Sequence, residues 1–100
     1  MQDRMYITYP RGRMELSLSQ FFPCTVKDAR IVFPLINLYA CAPEKEKLRQ
    51  HLKAYMEDRQ KEMKDMEEDY KAGIKRPGRN YRHLQTMYKR ALRNMELLEE

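Results

Sequence analysis

Apolar and polar residues alternate twice near the start of the chain. The first run is Met5-Tyr-Ile-Thr-Tyr9. In the second, Met14, Leu16 and Leu18 fall on one face, and Glu15, Ser17 and Ser19 on the other. A period of two marks a half-buried strand. Between the runs, Pro10-Arg-Gly-Arg13 has turn chemistry: proline presets φ, and glycine tolerates positive φ. The pattern predicts a β-hairpin. Two strands alone are marginal in water, so an apolar cover is expected as well.

Phe21-Phe-Pro23 closes the hairpin, and the spacing then changes to that of helices. Thr25 with Asp28 three residues on is a variant of the capping box. The segment Val26 to Ala40 is apolar on nearly all sides after its first turn, which predicts a helix in the middle of the core, kinked or split at Pro34. A strand through Ile31-Val-Phe33 is the alternative. Pro43, followed by Glu44 and Glu46, opens a third element. Leu52, Met56, Arg59, Met63, Met66, Tyr70 and Gly73 recur at spacings of four and three, a heptad seam. Gly73 is a C-cap candidate and Pro77-Gly78 bars continuation, so this helix should run about 30 residues, or ~45 Å.

Asn80 caps a last helix. Its stripe is Tyr81, Leu84, Tyr88, Ala91, Met95 and Leu98, widened by Met87 and Leu92. Two heptad helices around a short Gly/Pro loop at 73–79 predict an antiparallel αα-hairpin, with residue i opposite roughly residue 152 − i. Residues Glu44 to His51 then have no partner in the last helix, so Leu48, Leu52 and Tyr55 must pack on the base. The expected fold is α+β, mostly α, in a single domain of 100 residues: a base over 1–42 and a helical arm over 43–100.

Charge adds a functional surface to this frame. Net charge is +5, favouring anionic partners. Glu57 to Asp69 holds seven acids against three bases; Lys71 to Arg93 holds eight Lys or Arg and no acid. Folding the hairpin sets Lys89, Arg90 and Arg93 against the acidic stretch, which predicts interhelical pairs that specify orientation. Lys71, Lys75, Arg76, Arg79 and Arg82 remain in excess at the arm tip. They are the candidate binding residues, with Arg11, Arg13, Lys89, Arg90 and Arg93 as secondary candidates. Tyr70, Tyr81 and Tyr88 accompany the tip cations, but their seam positions predict packing ahead of base stacking.

Catalytic chemistry is not indicated. His51 and His83 are the only histidines and belong to no nucleophile–base set, no phosphate-loop motif occurs, and Cys24 and Cys41 form no C-x-x-C pair. Both cysteines are expected as buried hydrophobes without a disulfide. No cofactor or metal is expected. Met1 to Tyr6 lacks the apolar core of a secretory signal, and the run Ala29–Ala42 is too short to span a membrane, so a soluble cytoplasmic protein is expected. The functional expectation is a non-enzymatic binding module. Its tip would engage nucleic acid, an acidic protein, or the nucleic-acid-binding groove of a larger nucleoprotein. In size, charge and shape alone this profile is similar to that of phage and mobile-element inhibitors such as anti-CRISPR proteins. The alternative is a self-associating coiled-coil adaptor, dimerising through Met and Tyr on the arm.

Overall fold

Strands β1 (Arg4–Tyr9) and β2 (Gly12–Ser17) form the antiparallel hairpin, joined by the two-residue turn Pro10-Arg11. The structure is a computed structural model that describes residues 3–73 and 81–98. Met5 pairs with Leu16 and Ile7 with Met14, so the alternation buries Met5, Ile7 and Leu16 on one face. The other face carries the Arg4–Glu15 ion pair and the Arg13 guanidinium, 4.9 Å from the centre of the Tyr6 ring. The second strand stops two residues short of the alternating run. Leu18–Phe21 instead makes the short helix α1, fastened by Asp3. The Asp3 carbonyl accepts the Leu18 N–H at 2.7 Å. Its carboxylate accepts the Ser19 N–H and the Ser17 hydroxyl, both at 3.1 Å, and the Ser19 hydroxyl.

Helix α2 (Val26–Tyr39) begins where Thr25 predicts, the Thr25 hydroxyl accepting the Asp28 N–H at 3.3 Å. Of the two outcomes expected at Pro34, the split does not occur: the helix runs unbroken through this residue, which stands exposed, as does Arg30 one turn earlier, whose carbonyl the proline cannot serve. Nor is α2 central. Ala29, Val32, Phe33 and Ile36 are buried, but Ile31 is 62% and Leu38 74% exposed. The base has only a two-stranded hairpin, α1 and the ends of two other helices to offer, so it covers α2 on one side.

Helix α3 (Ala42–Lys71) spans 30 residues as one rod, with proline in its first turn. Its Glu44 carboxylate accepts the Tyr6 N–H at 3.0 Å and pairs with Lys47 at 3.1 Å. That contact occupies part of the open edge of β1, which would otherwise invite another strand. Leu48 and Leu52 are wholly buried in the base. Beyond them, Met56, Arg59, Met63 and Met66 are half-buried under α4 (Tyr81–Leu97), which runs back antiparallel. The Gly73 N–H donates to the Tyr70 carbonyl at 3.1 Å, and Gly73 takes φ +81°, the left-handed geometry of a helix stop. The molecule measures 57 × 28 × 21 Å.

A buried amide joins the arm to the base. Asn94 of α4, 1% exposed, accepts the Cys24 N–H at 2.9 Å and donates to the Cys24 carbonyl at 3.1 Å and the Arg90 carbonyl at 3.0 Å. Leu98, one turn on, and Ala91, one turn back, enter the same core as Phe22 and Phe33. Asn94→Ala strands both backbone groups of Cys24 away from a partner. It should cost about 3 kcal/mol, read from the urea midpoint, against under about 0.5 for the surface control Gln85→Ala. Equal midpoints for the two variants would remove Asn94 from this role.

Candidate binding surfaces

Lys71 is the last residue of α3 and Arg82 the second of α4; both are exposed, and neither forms a salt bridge among the described residues. Lys75, Arg76 and Arg79, with the expected cap Asn80, lie outside the described residues. The structure therefore brings two of the five expected tip cations to the open end of the arm. Beside them it places a group expected elsewhere. Tyr70 is 84% exposed, not packed in the seam. The cause is where α4 starts. Its first residue, Tyr81, donates its hydroxyl to Glu67, nearly one turn before Tyr70, so Tyr70 lies beyond the level at which α4 begins. The bond to Glu67 holds the Tyr81 phenol above its usual pKa. Tyr81 and Tyr88 are half-buried, as seam residues should be, whereas Leu92 is 41% exposed and does not widen the stripe.

The charge pairing expected across the hairpin fails for Lys89, Arg90 and Arg93. None of the three forms a salt bridge among the described residues. The arm instead carries short-range pairs within α3, Arg49 with Glu46 and Arg59 with Glu62, the latter at 3.0 Å. The reason is rotational. Leu84, Met87, Tyr88, Ala91 and Met95 form the covered stripe of α4, and positions 89, 90 and 93 stand to one side of it. Arg90 and Arg93 face the furrow between α4 and α2. At the hairpin turn, Arg11 is exposed, while Arg13 is occupied by the Tyr6 ring.

The furrow holds two adjoining hollows. The larger, of about 640 Å³, has Val26, Pro34, Leu38 and Leu97 on its walls beside Arg30 and Arg93. The smaller, of about 300 Å³, is bounded by Cys24, Thr25, Lys89, Arg90 and Asn94. Cys24 is buried, and burial pushes its thiol up to about 11. Cys41 is exposed at the start of α3, ahead of the turns whose Leu48 and Leu52 enter the core, so the expectation that both cysteines are buried fails there. Both thiols are free.

Among the described residues, no group of three or more His, Cys, Asp or Glu is placed to hold a metal, and no helix is long and apolar enough to cross a membrane. His51 is half-buried, with Nε2 buried and lacking a hydrogen-bond partner among the described residues, and His83 is exposed. The chain matches no family model, no curated protein and no solved structure.

The two thiols should part in reactivity. At mildly alkaline pH, iodoacetamide should modify Cys41 at least about 100-fold faster than Cys24, read by mass spectrometry, because only the thiolate attacks. The linkage follows from the same shift. The folded Cys24 thiol titrates above its ordinary value of 9.0, so its contribution to stability is complete below that value and is lost as pH rises towards about 11. Equal labelling rates in the folded chain would contradict the burial.

Proposed function

We propose that the chain is a non-enzymatic binding module whose arm tip engages single-stranded nucleic acid. The observation that carries this reading is Tyr70, a large ring turned out to solvent beside Lys71 and on the same end of the arm as Arg82. An exposed ring among cations supplies what a single strand asks for: a face on which a base can stack, and positive charge for the phosphates. Lys75, Arg76 and Arg79 belong to the sequence between Gly73 and Tyr81 and lie outside the described residues. The free thiols fit a reducing compartment, and a cytoplasmic location belongs to this reading. Self-association through the arm has less support, because the Met seam of α3 is already covered by α4 within one chain.

Tyr70→Ala removes a ring that touches little, so the fold should be unchanged by circular dichroism. Affinity for a short single-stranded oligonucleotide should fall about 5- to 150-fold, the equivalent of one stacked base at ~1–3 kcal/mol. Lys71→Glu with Arg82→Glu should weaken binding further. That pair should also flatten the slope of log K against log salt by about 1.4, or ~0.7 for each phosphate no longer neutralised. Full affinity and an unchanged salt slope in folded variants would exclude the tip.

A further inference from the structure

A second surface lies at the other end of the molecule. On α2, Val26, Arg30, Pro34 and Leu38 succeed one another at spacings of four and make one ridge. On α4, Thr86, Arg90, Arg93 and Leu97 make another at spacings of four and three. The hollow between the ridges is open along its length. Its apolar walls face solvent: Val26 is 55%, Leu38 74% and Leu97 38% exposed. Ile31, two turns before Leu38, continues the strip beyond the furrow. A groove between two packed helices is the shape into which the side-chain ridge of a third helix fits.

Charge selects the occupant. Among the described residues, Arg30, Arg93, Lys89 and Arg90 border the two hollows, no acid does, and none of these four cations has a salt bridge. The acids nearest in the chain, Asp28 and Glu96, line neither hollow. We propose that this furrow binds an acidic amphipathic helix of a partner protein. The helix would seat its apolar face on Val26, Pro34, Leu38 and Leu97 and its carboxylates on Arg30 and Arg93. A second copy of this chain does not meet the requirement. Two-fold pairing of the furrow would bring Arg30 and Arg93 against their own kind. The acidic flank of α3 offers no exposed large hydrophobic residue other than Tyr70, at its far end. A nucleic-acid strand is served poorly as well, since the one aromatic ring on the furrow's walls, Phe33, is buried.

The probe is a synthetic helical peptide of about four turns, with leucine on one face and glutamate on the rest, beside a counterpart in which lysine replaces every glutamate. Both are titrated into the full ¹⁵N-labelled chain. The acidic peptide should bind at least about tenfold tighter, with amide shifts concentrated over 26–38 and 89–97. Leu38→Asp, at a highly exposed position, should keep the fold and weaken binding at least about tenfold. Arg30→Glu with Arg93→Glu should reverse the preference between the two peptides. The Tyr70→Ala chain should bind the acidic peptide as the wild type does, which separates this furrow from the tip. The proposal is overturned if the acidic peptide fails to bind, if the lysine peptide binds as well, or if Leu38→Asp changes nothing. It is overturned equally if the chain sediments as a dimer that Leu38→Asp returns to monomer, because the occupant is then a second copy.

Discussion

One buried amide sets how the last helix seats on the base. The segment before α2 carries a peptide group, that of Cys24, into a region closed to water, where an unmet N–H or C=O costs more than a typical hydrogen bond contributes. Asn94 meets both groups with one amide and spends its remaining donor hydrogen on the Arg90 carbonyl of its own helix. An aliphatic residue at 94 could fill the space but could not satisfy Cys24. Ser or Thr could satisfy one group and not the other without reaching further. The clamp fixes the rotation of α4 relative to the base, and most surface features follow from that rotation. With Asn94 turned inward, Ala91 and Leu98 are driven into the core, and Arg90, Arg93 and Leu97 are left along the furrow facing α2.

A second constraint comes from α3, which belongs to both halves. Its first turns are core: Leu48 and Leu52 are buried in one cluster with Met5, Ile7 and Ile36, and Glu44 ties the helix start to β1. Its later turns have only α4 for company, and the burial falls to half at Met56, Arg59, Met63 and Met66. Arg59 shows how a seam accommodates a charge in such surroundings. Its guanidinium lies 4.7 Å from the centre of the Tyr55 ring and donates to Glu62 at 3.0 Å, so its aliphatic stem can pack while its head stays solvated on one side. The arm is thus a shallow, Met-lined contact between two rods, anchored firmly at one end by the base. A ring such as Tyr70, past the start of α4, has no turn of that helix beside it and stands exposed.

Much of the fold was legible because local chemistry and periodicity agreed. The hairpin, the Thr25 cap, the proline start of α3 and the Gly73 stop each rest on residues whose preference is intrinsic and short in range. The failures share a different origin. Whether Val26, Ile31 and Leu38 are covered depends on how much base exists to cover them, and no property of α2 itself reports that. The interhelical charge pairs were inferred from opposed positions along the helix axes. Pairing also needs the right rotation about those axes, and a buried Asn set it. A signal for Asn94 was present: it sits three residues after Ala91 and four before Leu98, inside the apolar stripe. A polar residue at such a position is a candidate for a buried hydrogen-bonded role. Of the candidate site, charge was readable and the environment of each charge was not, so Tyr70 and the furrow emerged only with the packing.

The segregation of charge along the chain acquires its meaning from this geometry. Seven acids between Glu57 and Asp69 could have neutralised α4, and a neutral hairpin would be the more ordinary outcome. Instead Arg59 turns to an acid of its own helix, and Arg90 and Arg93 are displaced towards an apolar furrow to which the described residues contribute no carboxylate. Cations placed beside exposed hydrocarbon lose little by pairing there with an incoming anion, because the furrow already thins their hydration on one side and the apolar walls are buried in the same step. Folding alone does not require that arrangement. Exposed ion pairs within the hairpin would contribute about 0–1 kcal/mol each, and an apolar strip left open contributes nothing until it is covered. Among the described residues the basic face of α4 therefore contributes no ion pair to the arm, and on the proposed reading it is the face a partner would meet.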